Sequence, residues 1–243
     1  MADIDLTNQA AGVGGSQPLR GVVEFPDTAG PWPGVVMIHE AFGLDAVMRR
    51  QALRLAQAGF LTLAVDLYSA GGAKRCLVPT MASMLRGSGK ACIDIEVART
   101  WLLASPECTG KVGVVGFCMG GGFAMVSAPN FDVASVNYGQ LPRNIDVAVA
   151  DSCPVVGSFG GRDLSLRGAS VKLKRALDNA GVVNDVKEYP TAGHAFLNDA
   201  PAGAEDFAPD RANSRCRSGP GSSGGCVDPD RCIFDRAPSM ISG

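Results

Sequence analysis

Between Lys111 and Gly122 the chain reads KVGVVGFCMGGG, an apolar, β-branched run that passes without a loop into a cysteine and a string of small residues. The run has the length and composition of a buried strand, and the small residues around the cysteine leave room for an abrupt turn. A strand that turns at once into a helix belongs to parallel α/β architecture, because parallel neighbours need a crossover rather than a hairpin.

The rest of the chain repeats the pattern. Strand-type runs fall at 21–25, 34–40, 60–68, 111–117, 132–139, 153–160 and 185–189, with helical periods at 46–58, 91–104 and 169–180 between them. This order predicts an α/β fold: a doubly wound, mostly parallel sheet flanked by helices. One domain is expected over 20–198, with 1–19 as an N-terminal extension. From Asp199 to Gly243 the sequence is rich in Gly, Pro and Ser and keeps no apolar period, so this tail is expected to be disordered.

With 243 residues and 46% hydrophobic content the chain can bury a large core. A net charge of −2 without any block of like charge gives no footprint for nucleic acid or membrane, which leaves a small molecule as the expected partner and the oligomeric state open. No signal-peptide pattern or membrane span is present in the sequence, and the eight cysteines are scattered, so a cytoplasmic protein with reduced thiols is expected.

In such a sheet all the parallel strands end on one edge, where ligands bind, so the informative residues stand just after strands. Four fit: Glu40, Cys118, Asp163 and His194. Gly116, Cys118 and Gly120 form a G-x-S-x-G elbow with cysteine in the serine's place. The elbow lifts the thiol to a helix N-terminus, whose dipole and free N–H groups favour a thiolate. A dinucleotide loop would need G-x-G-x-x-G, and the second glycine is replaced by Cys118.

Of the two histidines, His39 and His194, the second follows the last strand and can act as base. Asp163, after the preceding strand, can orient it; the competing Asp151 comes before its strand and faces the wrong edge. The order nucleophile, acid, histidine is that of α/β-hydrolases. The N–H of Met119, and that of Ala41 after the strand ending at Glu40, are the expected oxyanion donors. No cofactor or metal is required: Cys216, Cys226 and Cys232 have no C-x-x-C spacing and no nearby histidine.

With Cys118, Asp163 and His194 in place, the chain resembles the dienelactone hydrolase (carboxymethylenebutenolidase) family of α/β-hydrolases. The stretches PGVVMIHEAFGLDAVMRRQALRLAQAGFLTLAVDLY, KVGVVGFCMGGG, CPVVGSFGGRD and VKEYPTAGHAFLN carry the resemblance. It implies a Cys118–His194–Asp163 triad that hydrolyses a lactone or carboxylic ester, with Glu40 beside the thiol helping to form the thiolate when substrate binds. The family's substrate is an unsaturated lactone bearing a carboxylate, held by arginines, one of them a few residues after the histidine. Here Ala195, Phe196, Leu197, Asn198 and Asp199 stand there instead, and Arg75 and Arg86 are the candidates to compensate.

The family closes with a helix against the sheet, whereas the composition after Asn198 is what out-of-frame reading of GC-rich DNA yields; a replaced ending is expected. The alternative function is a catalytically impaired homologue, either a binding or scaffold protein or an unstable product lacking the family's C-terminal helix.

Overall fold

The computed structural model describes residues 2–198. In chain order these form β1 (Ala2–Asp5), α1 (Thr7–Ala11), β2 (Arg20–Glu24), β3 (Trp32–Ile38), α2 (Ala46–Gln57), β4 (Leu61–Asp66), α3 (Ala73–Arg86), α4 (Lys90–Ala104), β5 (Cys108–Phe117), α5 (Met119–Ser127), β6 (Val133–Asn137), α6 (Ile145–Val149), β7 (Val155–Gly160), α7 (Ala169–Asn179) and β8 (Asn184–Tyr189). All eight strands join one sheet in the order β1-β2-β4-β3-β5-β6-β7-β8. From β4 through β8 every pairing is parallel, and β2 alone runs against its neighbours.

The strands pleat, so alternate side chains enter two different cores. Val35 and Met37 pack with Met48, Ala52 and Leu55 of α2 and with Val115 and Phe117. Val36 and Ile38 face the other way, into the core that also holds Ile95 and Leu102 of α4, Phe123 of α5 and, further along the sheet, Leu173 of α7. Because both faces are covered, the central strands read as unbroken apolar runs. Asp45 caps α2 by accepting from the Met48 N–H at 2.9 Å, which fixes where the chain leaves the edge after β3.

Two stretches depart from the sequence expectation. Residues 1–19, read as an extension, supply an edge strand: β1 pairs with β2, and Leu6, Ala10 and Leu19 are fully buried. Its residues ADID alternate for only four positions and include two aspartates, which are depleted in strands, so the backbone pairing is what identifies it. The segment after β4 is a 14-residue helix, α3, although it contains Pro79 and follows Gly71 and Gly72. Gly87, in the left-handed conformation at φ 64°, ends it. The tail from Asp199, expected to be disordered and replaced, lies outside the described residues.

Candidate active site

The elbow is built by close approach. Cys118 has φ 50° and ψ −112°, a left-handed conformation that a non-glycine residue adopts at a cost. Its N–H donates to Asn137 O at 3.0 Å, tying the turn to the end of β6. The turn is possible because Gly116 lies against Gly120, and Gly121 against Gly139, at distances where a Cβ has no space. Cys118 therefore stands at the N-terminus of α5, on the edge where β3 and β5 to β8 all end.

β7 and β8 are neighbouring parallel strands, paired from Val155↔Asn184 to Gly160↔Tyr189, so the turns that follow them lie side by side. Backbone bonds from Gly161 N–H to Tyr189 O at 2.8 Å and from Arg162 N–H to Ala192 O at 2.9 Å fasten the two turns together. Across that seam His194 Nδ1 lies 2.5 Å from Asp163 Oδ2, and His194 Nε2 lies 3.2 Å from Cys118 Sγ. Asp163 is buried, and its other oxygen accepts from the Ser165 N–H at 3.0 Å and the Ser165 hydroxyl at 2.6 Å. Burial pushes the Asp163 carboxyl up, but the bonds from Ser165 and His194 outweigh it and hold it below the usual carboxylate range. His194 is raised to about 9, first by its bond to Cys118 and then by Asp163, against the opposing effect of burial.

Glu40 is buried rather than solvated at the end of β3. Its Oε1 accepts from Tyr138 Oη at 3.1 Å and its Oε2 from Asn198 Nδ2 at 3.2 Å. Burial raises its carboxyl, with the two donors and the charge of His194 opposing. The structure gives Glu40 no hydrogen bond to Cys118; its contact with His194 runs through Tyr138, whose ring meets that of His194 edge-on at 5.4 Å.

Tyr138 and Asn198 escaped the sequence reading. Tyr138 stands just beyond β6, the position that singled out the other four, and Asn198 lies further along the loop after β8, yet a tyrosine in NYG and an asparagine in FLND carry no motif. Met119 begins α5, so its N–H has no partner within the helix. Arg75 and Arg86 lie at opposite ends of α3, both exposed, and neither guanidinium forms a hydrogen bond or ion pair with the described residues. Cys76, Cys92, Cys108, Cys118 and Cys153 are free cysteines, and no group of metal-ligating residues exists among the described residues. No helix among them is long and apolar enough to cross a membrane.

A mostly parallel eight-stranded sheet between helices, with a strained cysteine elbow after a central strand, is an α/β-hydrolase fold. The chain belongs to the dienelactone hydrolase family, whose model matches residues 19–218 and so runs past the last described residue. A Pseudomonas putida carboxymethylenebutenolidase is 29% identical over 201 residues, covering 76% of this chain and 84% of its own. A Yersinia pestis relative named for the same activity is 31% identical over 201 residues, covering 74% of this chain and 75% of its own. Among solved structures, one assigned as a dienelactone hydrolase from Klebsiella pneumoniae superposes with TM-score 0.68 at 26% identity, covering 83% of this chain and 90% of that one. A dienelactone hydrolase-like promiscuous phosphotriesterase from metagenomic libraries gives 0.69 at 25%, covering 81% and 84%. The chain is accordingly a carboxymethylenebutenolidase-like hydrolase.

Proposed function

We propose that this hydrolase cleaves a lactone or carboxylic ester through a Cys118–His194–Asp163 triad. The observation that carries the reading is the unbroken contact chain from thiol to imidazole to carboxylate, at 3.2 and 2.5 Å, on the edge where the strands end. Cys118 Sγ attacks the acyl carbon as thiolate, and the carbonyl electron pair moves onto oxygen. The N–H groups of Met119 and Ala41 hold that oxyanion. Collapse forms the thioester and expels the alkoxide, which takes its proton from His194 Nε2. Water then gives a proton to His194, attacks the thioester, and releases the acid while the thiolate and imidazolium are restored.

The raised pKa of His194 serves both halves. With the thiolate beside it the ring is an imidazolium at neutral pH, ready to protonate the leaving group. Acylation removes the bond to Cys118, the largest cause of the upward shift, so the ring becomes able to accept water's proton in the second half. The single-turnover acylation rate is therefore expected to fall as pH rises through about 9, where His194 loses its proton. The same sign holds for stability. A folded value above the ordinary 6.5 means that the His194 contribution is complete below 6.5 and disappears as pH rises through about 9, a window that stopped-flow kinetics and urea titrations both read.

Glu40, buried and raised, is a carboxyl that can exchange a proton with the thiol–imidazole pair when substrate disturbs its bonds to Tyr138 and Asn198. For a substrate carboxylate, Arg75 and Arg86 stand eleven residues apart on one helix, roughly 16 Å along its axis, so one of them at most can hold it. The deciding experiment mixes the purified protein with p-nitrophenyl acetate or with a carboxylate-bearing dienelactone, quenches early, and sequences the labelled peptide by mass spectrometry. An acyl group on Cys118 is expected; turnover with no Cys118 adduct under any quench would remove the proposal.

A further inference from the structure

The second histidine does not touch the triad, yet it is the more deeply buried of the two. His39 follows β3 with no exposed surface, accepts the Leu67 N–H on Nε2 at 3.1 Å, and places Nδ1 2.6 Å from Glu40 O. An N–H pointing at Nε2 requires a lone pair there, so the proton of the neutral ring is on Nδ1 and is donated to the Glu40 carbonyl. Burial lowers the pKa of His39, against the pull of Glu40 O and of Asp66 at 3.8 Å, and keeps the ring in this neutral form.

Tyr68 packs edge-on against His39, with ring centroids 4.8 Å apart. Its hydroxyl donates to Ala41 O at 3.0 Å and lies 3.5 Å from Met119 Sδ. Burial pushes this phenol up to about 12, so it retains the proton it donates. Gly43, at φ 95°, folds over the Tyr68 ring and sends its N–H back to Glu40 O at 3.1 Å.

The Glu40–Ala41 peptide is thus gripped through Glu40 O by His39 and Gly43, and the next peptide, Ala41–Phe42, through Ala41 O by Tyr68, so Ala41 is held on both sides of its Cα. A trans peptide is planar, with its N–H opposed to its C=O, so fixing the Glu40 carbonyl also fixes the direction of the Ala41 N–H. We infer that His39 and Tyr68 are positioning residues for the oxyanion donors, aiming the Ala41 N–H and, through the contact with Met119, bracing the residue that provides the second donor. The inference rests on the proposed roles of Cys118, Ala41 and Met119.

The test sets two reagents against one thiol in the full-length protein. p-Nitrophenyl acetate acylates Cys118 through a tetrahedral oxyanion; iodoacetamide alkylates it by displacing iodide and forms none. In Tyr68→Phe, acylation is expected to slow about 10- to 50-fold, a fraction of what losing a whole donor costs. Alkylation, which reads only thiolate character and access, stays within about twofold. His39→Asn, whose carboxamide N–H can stand where Nδ1–H stood, retains more acylation than His39→Leu. Equal losses with both reagents, or unchanged acylation in Tyr68→Phe, overturn the positioning role. If wild-type Cys118 takes up neither reagent, the triad reading fails first, and that result is visible without any variant.

Discussion

Replacing Cys118 with alanine lowers kcat/KM for p-nitrophenyl acetate by about 10⁴-fold or more, the scale seen when the attacking group of a coupled triad is removed. The size follows from what remains. Met119 and Ala41 would still offer N–H groups to an oxyanion, but nothing within reach of His194 could attack. The imidazole is affected too: its bond to Cys118 is the first cause of the rise to about 9, so His194 in Cys118→Ala titrates well below that value, held up only by Asp163. One variant thus predicts two independent readings, a kinetic loss and a His194 ring-proton titration in NMR whose midpoint moves to lower pH. Cys118→Ser separates them further. A serine hydroxyl does not ionise near neutrality, so under the proposed mechanism Cys118→Ser keeps the shape of the site, supplies no thiolate, and stays closer to alanine than to wild type in rate. A Cys118→Ala protein with a tenth or more of the wild-type rate would mean that the thiol is a bystander.

What the sequence reveals about this site depends on which residues carry a pattern. The elbow is legible because Gly116, Gly120 and Gly121 are demanded by sterics, and the order of Cys118, Asp163 and His194 is legible because each follows an apolar run. Glu40, Tyr138 and Asn198 meet only in three dimensions: they come from the ends of β3, β6 and the loop after β8, and the pairing of those elements is not written in any one of them. Tyr138 even has φ 38°, which no local rule would assign to a tyrosine. β1 was hidden because its alternation of Ala2 and Ile4 with Asp3 and Asp5 lasts only four residues, too few to stand out, and aspartate is a poor strand former. α3 was hidden because glycines and Pro79 suppress its helical signal, although Gly87 closes it in the ordinary way. His39 could have been suspected. A histidine at the end of a wholly apolar strand must satisfy both ring nitrogens in the interior, and the nearest groups able to do so are the backbone of its own turn and of the strand beside it.

The glycines of the elbow yield the second large effect. In Gly120→Ala the new Cβ would fall 2.2 Å from Ile38 O and 2.8 Å from His39 O, both backbone atoms at the end of β3. Bringing the shorter contact to an ordinary 3.4 Å requires the first turn of α5 to move by more than an ångström from the strand that carries Glu40 and Ala41. Overpacking of this kind costs about 1–3 kcal/mol, and the absence of any flexible side chain to yield puts Gly120→Ala at the upper end. Displacement of a reacting group by about 1 Å costs roughly 10²-fold in rate, so the variant is expected to lose activity even where it remains folded. Gly122→Ala, two residues along the same turn, is the control. Its Cβ would meet chiefly the Met84 thioether at 2.3 Å, the end of a flexible side chain that can swing aside, with Gln140 O at 3.0 Å needing a smaller adjustment. Thermal unfolding and kcat/KM measured together on the two variants should therefore diverge: Gly120→Ala loses both stability and rate, Gly122→Ala loses some stability and keeps most of its rate. If Gly120→Ala turned over normally at full stability, the contact between α5 and the end of β3 would not be what places Cys118 opposite Ala41.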